Sequence, residues 1–491
     1  MKIFFSGVGG IGMSALAQIA ALNGHEVVGS DIKPSYITEK LQQMGIQIFF
    51  KQEEKNITED IDLFVYSSAI DKENPEYKKA NLLNIKSLHR SQYLDQILLE
   101  KELIAITGSS GKTTTTTLTG LALNQMGVKS NLITGGWIKE LNSNVIWNDS
   151  NMVVIEADES DGSLLNYHPN IALITDLAVD VNLNSGEFKN VPLQDLKSKL
   201  KEIYKKFVER IIDKKGRIII SNDEELFNFI KNNGFIVNVV FGEKTYVDYG
   251  VPFIYFDNLI QYEKDGFPFV EFTLGLRLKN DDLYLGNANL KSIGRYNAFN
   301  FVGACSTLFS LTENIDHLKK LCSISPQLSF TKRRFEILFN DIVNGNRLVI
   351  VDDYAHNPKK ISFLIENVNF VYKDYQRIAI FQPHRYTRTM MFWDKLKNSF
   401  FNLDYLIILP IYSAGEKPIE NINSENLTEM IKKQNTRIKQ ILYIDDFDRV
   451  ISFLRNVVGN KDSIVIFIGA GNITNLANNF ASSFYNFVKK F

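Results

Sequence analysis

The sequence predicts an α/β protein built on open parallel sheets, and three observations carry that expectation. Apolar strand-like runs alternate with helix-like runs from residue 2 onward, which puts helices on both faces of a parallel sheet. Several of the runs end in glycine or polar residues, where open α/β sheets hold their ligands. The 491 residues suffice for about three domains of roughly 100–200 residues each.

Composition narrows the function classes. Apolar residues make up 45% and charged residues 23%, an ordinary globular balance. Lysine and arginine number 55 against 56 acids, a net charge of −1. That balance argues against nucleic acid or an anionic membrane as partner and toward small molecules. Two cysteines, Cys305 and Cys322, cannot build a disulfide framework and argue against a zinc cluster, so a reduced, cytoplasmic setting is expected. The opening MKIFFSG is too short an apolar run for a signal peptide. No stretch reaches the roughly 18 uninterrupted apolar residues of a membrane span.

Taken in order, residues 2–100 read as KIFFSGV (strand), GGIGMSALAQIAALNG (helix), HEVVGSD (strand) and TEKLQQMG (helix), then the strands IQIFF and DLFVYSSAI. A second region opens at Leu103 and contains the strands NMVVIEADESD and IALITD. Between about residues 234 and 290 short strands and turns predict an antiparallel addition to the central sheet. From near Pro326 the strands RLVIVDDY, RIAIFQPH, YLIILPIY and SIVIFIGAG each finish in polar or glycine residues. Domain boundaries are expected near residues 101 and 325.

The strongest chemical signal is residues 104–118, IAITGSSGKTTTTTL. An apolar strand runs into a glycine turn, then Lys112, then five threonines that open a helix. The turn and the helix N-terminus make an anion cradle to which Lys112 adds a point charge. Thr113, directly after the lysine, is placed to ligate Mg²⁺ held by nucleotide phosphates. The spacing is a shorter G-x-x-G-K-T variant, because position 106 is isoleucine. A Gly/Ser turn before a threonine-rich helix is the plain alternative, but threonine is a mediocre helix former.

Gly7, Gly9, Gly10 and Gly12 follow a strand and open a helix, the context of the dinucleotide fingerprint. Asp31 ends the next strand, where an acid reads a ribose hydroxyl. Alone, this suggests NAD, although any nucleoside diphosphate fits the same cradle. Glu156 and Asp158 close the strand before the turn ESD, where a Mg²⁺-holding carboxylate is needed beside the phosphate loop; Glu159 and Asp161 are not separable from them by sequence. Asn297 either caps its helix or reads an adenine edge. Asp353, Tyr354, His356 and Asn357 share one strand end, and His384, Arg385 and Arg388 the next. Arginines there suit carboxylates or phosphates.

In order, G-x-G-G-x-G-M-S, G-K-T-T-T, E-A-D-E-S-D, D-D-Y-A-H-x-P, F-Q-P-H-R-Y-T-R-T, I-Y-S-A-G-E and G-A-G-N-I resemble the Mur ligases over nearly the whole chain. The resemblance implies an N-terminal Rossmann-like domain at residues 1–101, a central P-loop-type ATPase with a mixed sheet at 102–325, and a C-terminal Rossmann-like domain at 326–491. It implies ATP and Mg²⁺ as cofactors, with UDP-N-acetylmuramate and L-alanine as substrates joined through an acyl phosphate in peptidoglycan synthesis. A recycled tripeptide as acceptor, or a nucleotide-binding homologue with impaired catalysis, are the alternatives. A monomer or weak homodimer is expected.

By the same resemblance, Gly108, Ser109, Ser110, Gly111, Lys112, Thr113 and Thr114 bind ATP, with Asn297 and Arg334 on the adenine, ribose or phosphate. Thr113 and Glu156 hold Mg²⁺. Gly9, Gly10, Ile11, Gly12, Asp31, Ser67, Ser68, Ala69 and Arg90 bind the UDP-substrate. Lys112, Glu156, His356, Arg385 and Arg388 are the expected catalytic residues, with Tyr354 beside them. Three family histidines are replaced here: Ser110 in the loop, Val181 in TDLAVDV, and Tyr296 before Asn297. Valine cannot coordinate a metal.

Overall fold

The computed structural model describes residues 1–159, 163–179, 188, 191–279, 281–434 and 437–488. Its first sheet has five parallel strands, β1 (Lys2–Ser6), β2 (Glu26–Ser30), β3 (Gln47–Phe49), β4 (Leu63–Tyr66) and β5 (Lys86–His89). Their order is β3-β2-β1-β4-β5. The winding reverses between β1 and β4, so the ligand crevice of such a sheet opens beyond Ser6 and Tyr66.

Four helices serve this sheet. Helix α1 (Ile11–Leu22) is alanine- and leucine-rich and buries most of its length. Helix α2 (Tyr36–Gln43) is capped by the Ser35 hydroxyl, which accepts from Thr38 N. Helix α3 (Pro75–Leu82) puts proline in its first turn behind the Asn74 cap, where the ring's missing N–H costs nothing. Helix α4 is Arg90–Leu98. Phe4, Phe5, Phe64 and Val65 are fully buried in the core. Glu76 of α3 is buried too, and accepts from Ser6 Oγ (2.5 Å), Ser30 Oγ (2.6 Å) and Asn56 Nδ2 (2.8 Å). Burial raises its carboxyl pKa against those three bonds. It ties together the last residues of β1 and β2, from which the glycine loop and Asp31 project.

The second sheet has ten strands in the order β15-β14-β13-β12-β11-β10-β6-β9-β7-β8. They are β6 (Glu102–Thr107), β7 (Asn131–Ile138), β8 (Ser143–Ile146), β9 (Met152–Glu156), β10 (Ile171–Ile174), β11 (Arg217–Ser221), β12 (Val239–Glu243), β13 (Phe253–Lys264), β14 (Phe267–Leu278) and β15 (Asp281–Leu290). The pairings from β13 across to β7 are parallel, and β8 closes the edge antiparallel to β7. The sheet is therefore mixed, as expected. Strands β13 and β14 run 12 residues each, longer than their sequence suggests. Asp265 and Gly266 join them with φ of 53° and 78°, the left-handed pair of a tight hairpin turn. Helix α5 (Lys112–Gln125) leaves β6.

The third sheet holds β16 (Glu336–Val343), β17 (Asn346–Asp353), β18 (Gln376–Phe381), β19 (Tyr405–Ile408), β20 (Gln440–Tyr443) and β21 (Ser463–Ile468), in the order β16-β17-β21-β18-β19-β20. All pairs are parallel except β16 with β17. Cores built on Ile365 and Phe400, and on Ile380 and Phe480, cover it. By proximity the chain divides into two compact units. One comprises Met1–Asp257, Thr273–Asn287 and Phe299–Thr331; the other comprises Asn258–Phe272, Ala288–Ala298 and Lys332–Phe491. The first two sheets lie largely in the first unit. Among the described residues no helix is long and apolar enough to cross a membrane.

Candidate active site

In the first unit, the phosphate loop spans residues 108–111 between β6 and α5. Gly108 has φ +126° and Gly111 φ +83°, conformations that favour glycine. A Cβ at Gly108 would sit 1.9 Å from Thr175 Oγ1, so only glycine permits this approach. Thr175 Oγ1 donates to Ser110 O (2.8 Å). The Asp176 carboxylate accepts from Ser109 N (3.1 Å), Ser109 Oγ (2.6 Å) and Ser110 N (3.2 Å). The end of β10 thus braces the back of the loop. Of the threonine run, Thr115 Oγ1 donates to Asn300 Oδ1 (3.2 Å) and Thr117 Oγ1 lies 3.1 Å from Thr134 Oγ1. Those threonines hold the helix start to its neighbours, which explains a run that propensity does not.

Lys112 Nζ donates to Glu159 Oε2 at 2.8 Å and Oε1 at 3.0 Å, with Asp158 Oδ1 at 3.7 Å. The Glu159 side chain is 1% exposed. Burial works against the ammonium, but Glu159, Asp158 and Glu156 outweigh it and raise its pKa. Lys112 is therefore a fixed cation at the helix start, where developing phosphate charge would be stabilised. Thr113 Oγ1 donates to Glu156 Oε1 (3.0 Å), and Gly135 N donates to Glu156 Oε2 (3.1 Å). A hydroxyl and a carboxylate are hard oxygen donors. Such a short protein set fits Mg²⁺, which takes its remaining ligands from phosphates and water. Among the described residues there is no cluster of three or more His, Cys, Asp or Glu suited to a metal.

The first glycine loop closes differently. Gly7 N and Val8 N both donate to Ser30 O (2.9 Å). Asp31 Oδ2 accepts from Gly9 N (2.8 Å), and Asp31 Oδ1 from Ile32 N (2.7 Å). The carboxylate that a dinucleotide fold offers to a ribose is here turned into the loop. Ser67 Oγ lies 2.7 Å from where a Gly7 Cβ would stand, and Arg90 Nη1 3.1 Å from a Cβ at Gly12. Ser68 Oγ is 3.0 Å from His89 Nε2, and Ala69 N donates to Ser67 Oγ (3.3 Å). The strand ends thus gather Gly7, Gly12, Ser67 and Arg90 around the crevice, with Gly10, Ile11, Ser68 and Ala69 as their chain neighbours.

In the second unit, the ends of β17 and β18 carry the remaining residues. Asp353 accepts from Phe335 N (2.7 Å) and Ala355 N (2.8 Å), which shapes the turn, and burial raises its pKa. His356 Nδ1 donates to Tyr354 O (2.8 Å). Arg333 and Arg334 lie over the Tyr354 ring at 4.9 and 5.3 Å, a cation–π arrangement. Asn357 caps the next helix at Lys360 N. Asn297 gives its amide to Ser292 Oγ (2.6 Å) and Ile293 O (2.7 Å), in the turn before the helix Arg295–Thr312.

Arg385 has φ 67°, a strained position for a non-glycine residue and a mark of functional sites. Its Nε is buried with no hydrogen-bond partner among the described residues. Arg388 Nη1 donates to His384 Nδ1 (3.2 Å), and the imidazole stacks on Tyr412 at 5.5 Å. Burial, with Arg388, Arg385 and Arg333 nearby, pushes the His384 pKa down to about 3, so the ring stays neutral and orients Arg388.

Sequence reasoning did not separate Glu159 from Glu156 and Asp158 as metal-side acids, and the structure puts Glu156 on Thr113 and Glu159 on Lys112. It missed Asp176 as the brace of the loop, although an acid ending the neighbouring strand was the available signal. It also missed Gly135, for which consecutive glycines inside a strand pattern were the sign of close approach. Asp161 and Val181 lie outside the described residues.

Comparison with known proteins then places the chain. A family model described as Mur ligase family, catalytic domain, matches residues 2–102, and one described as Mur ligase, glutamate ligase domain, matches residues 333–471. A relative from Desulforapulum autotrophicum named UDP-N-acetylmuramate–L-alanine ligase is 31% identical over 96% of each chain. One of the same name from Persephonella marina is 32% identical over 97% of this chain and 95% of its own. The crystal structure of UDP-N-acetylmuramate-alanine ligase MurC from Thermotoga maritima aligns over 99% of both chains with a TM-score of 0.77 at 24% identity, which shows a shared fold. The chain belongs to the Mur ligase family.

Proposed function

We propose that the protein is an ATP-dependent, ADP-forming ligase that joins L-alanine to UDP-N-acetylmuramate in cytoplasmic peptidoglycan synthesis. The observation that carries the reading is the convergence of Lys112, Thr113 and Glu156 at the start of one helix, in a chain matched over 96–97% of its length by relatives of that name. A carboxylate oxygen of the muramate takes the terminal phosphoryl group of ATP, and ADP leaves. The alanine amine then attacks the acyl carbon, loses a proton and expels phosphate, forming the amide.

Within that scheme, Lys112 neutralises charge on the transferred phosphoryl group. Gly108, Ser109, Ser110, Gly111 and Thr114 form the cradle around it. Thr113 and Glu156 hold Mg²⁺, which when bound screens the phosphate oxygens. Asn297 and Arg334 serve the nucleoside side of ATP. Because Asp31 takes the Gly9 N–H, the UDP diphosphate rests on the first turn of α1, at Gly10, Ile11 and Gly12. Ser67, Ser68, Ala69 and Arg90 complete that subsite. Arg385 and Arg388 bind carboxylate groups bidentately, and His356 and Tyr354 stand with them around the muramate carboxylate and the incoming amine. The domains follow as residues 1–101, 102–325 and 326–491.

The test is phosphate release measured with ATP, Mg²⁺ and UDP-N-acetylmuramate, with L-alanine, glycine, L-serine or a muramyl tripeptide as acceptor. Release that requires both the UDP-sugar and L-alanine supports the reading. Release indifferent to either, or preference for the tripeptide, contradicts it.

A further inference from the structure

One buried polar network in the first unit reaches both nucleotide-type loops. The pairing of β7 with β8 is irregular between Ile133 and Ile138, and the stretch concerned is Thr134, Gly135, Gly136 and Trp137. Irregular, glycine-bearing strand segments re-aim side chains and admit close neighbours. At one end, Gly135 N holds the Glu156 carboxylate (3.1 Å), and a Cβ at Gly136 would stand 2.8 Å from Thr113 Cγ2. At the other end, Trp137 is 1% exposed, within the same core cluster as Val8, Met13 and Ile37. Its ring meets Tyr36 edge-on at 5.3 Å. The stretch thus touches the candidate Mg²⁺ ligands and is embedded behind the first glycine loop.

Asn144 of β8, wholly buried, fastens the two. Its Nδ2 donates to Ile11 O (2.7 Å), the first residue of α1, and to Thr134 O (3.4 Å). Its Oδ1 accepts from Gln18 Nε2 (2.9 Å), and Gln18 Oε1 accepts from Ser143 Oγ (2.8 Å). Thr134 Oγ1 continues toward the phosphate helix, 3.1 Å from Thr117 Oγ1 and 3.5 Å from Thr113 O. Both amide side chains have their donors and acceptors engaged, and such networks fix one arrangement.

We propose that Asn144 and residues 134–137 couple the two loops, so that binding at either one tightens binding at the other. The inference rests on the assignment of UDP-N-acetylmuramate to the first loop and Mg²⁺–ATP to the second. A ligand on Ile11 and Gly12 steadies the Ile11 carbonyl and, through Asn144, the backbone that carries Gly135. The second ligand then meets a stretch already ordered and loses less conformational freedom on binding. Linkage requires the effect to be equal in both directions. Asn144 acts here as a positioning residue that touches neither ligand.

Calorimetric titration tests this on the full chain without amino acid, with UDP-N-acetylmuramate and a non-hydrolysable ATP analogue with Mg²⁺. Each is titrated alone and with the other saturating. In the wild type each ligand is expected to lower the Kd of the other by the same factor, about fivefold or more, and Asn144→Ala to bring that factor below about twofold while each ligand still binds alone. Gln18→Met keeps the side-chain shape and removes the bond to Asn144 Oδ1. It is expected to give an intermediate factor, and it serves if Asn144→Ala does not fold. Wild-type ligands that bind independently overturn the coupling, and an unchanged factor in the variants overturns the role of Asn144. Failure of either ligand to bind the wild type even with the other saturating overturns the functional assignment and the coupling with it.

Discussion

The two glycine loops of the first unit share one local design, a buried strand, a glycine turn and a helix N-terminus, yet their surroundings differ. The loop after β1 has a carboxylate, Asp31, folded onto its own Gly9 N–H, and no lysine follows its glycines. The loop after β6 carries Lys112 held by Glu159 and a hydroxyl held by Glu156. Both offer backbone N–H groups to an anion. The first is approached by Arg90 from a neighbouring helix, but only the second sets a lysine and a hydroxyl–carboxylate pair at the start of its own helix, the requirements of phosphoryl transfer. A glycine loop therefore reports that a phosphate fits, and the side chains around it report whether chemistry follows.

That contrast can be broken at several points. Lys112→Ala is expected to lower kcat by about a thousandfold, the scale of losing a group aimed at developing charge, as read by steady-state phosphate release. Glu156→Gln should raise the Mg²⁺ concentration for half-maximal rate by at least the roughly tenfold that supporting groups of a metal site are worth. Asp31→Ala frees the Gly9 N–H and loosens the first loop. It should raise the KM for UDP-N-acetylmuramate up to about tenfold, near one charged hydrogen bond, and leave the KM for ATP unchanged.

The smallest effect separates both loops from global stability. His384 is half-buried and neutral, with its pKa lowered to about 3. Its contribution is complete above the unfolded value near 6.5 and is lost as pH falls from there toward 3, because the unfolded chain gains a proton that the folded chain refuses. His384→Asn should shrink the drop in Tm between pH 7 and pH 5 by a few degrees. A pH profile of Tm that is unchanged by the substitution contradicts the neutral imidazole.

The sequence made much of this legible because its signals are local. The runs IAITGSSGK and KIFFSGVGGIG announce strand, turn and helix within a dozen residues, and Pro358 behind Asn357 announces a helix start that the structure reproduces. What could not be read depends on direction and distance. Asp31 sits where a ribose ligand is expected, but only coordinates show its carboxylate turned inward. Glu156, Asp158 and Glu159 fall within four positions, and the turn after β9 decides that Glu159 meets Lys112. The T-G-G-W stretch lies about twenty residues from Glu156, the acid it holds, and its irregular pairing with β8 has no signature in periodicity. The full length of β13 and β14 was hidden because Asn258 and Gly275, residue types that usually mark turns or bulges, fall inside them.

The central claim, that the two loops carry different nucleotides, is tested most directly by titrating the Lys112→Ala variant with UDP-N-acetylmuramate in the absence of ATP. A Kd within about twofold of wild type, 0.4 kcal/mol or less by RT ln 2, alongside lost phosphate release, is the predicted result. Loss of UDP-N-acetylmuramate binding in a variant that remains folded would contradict it.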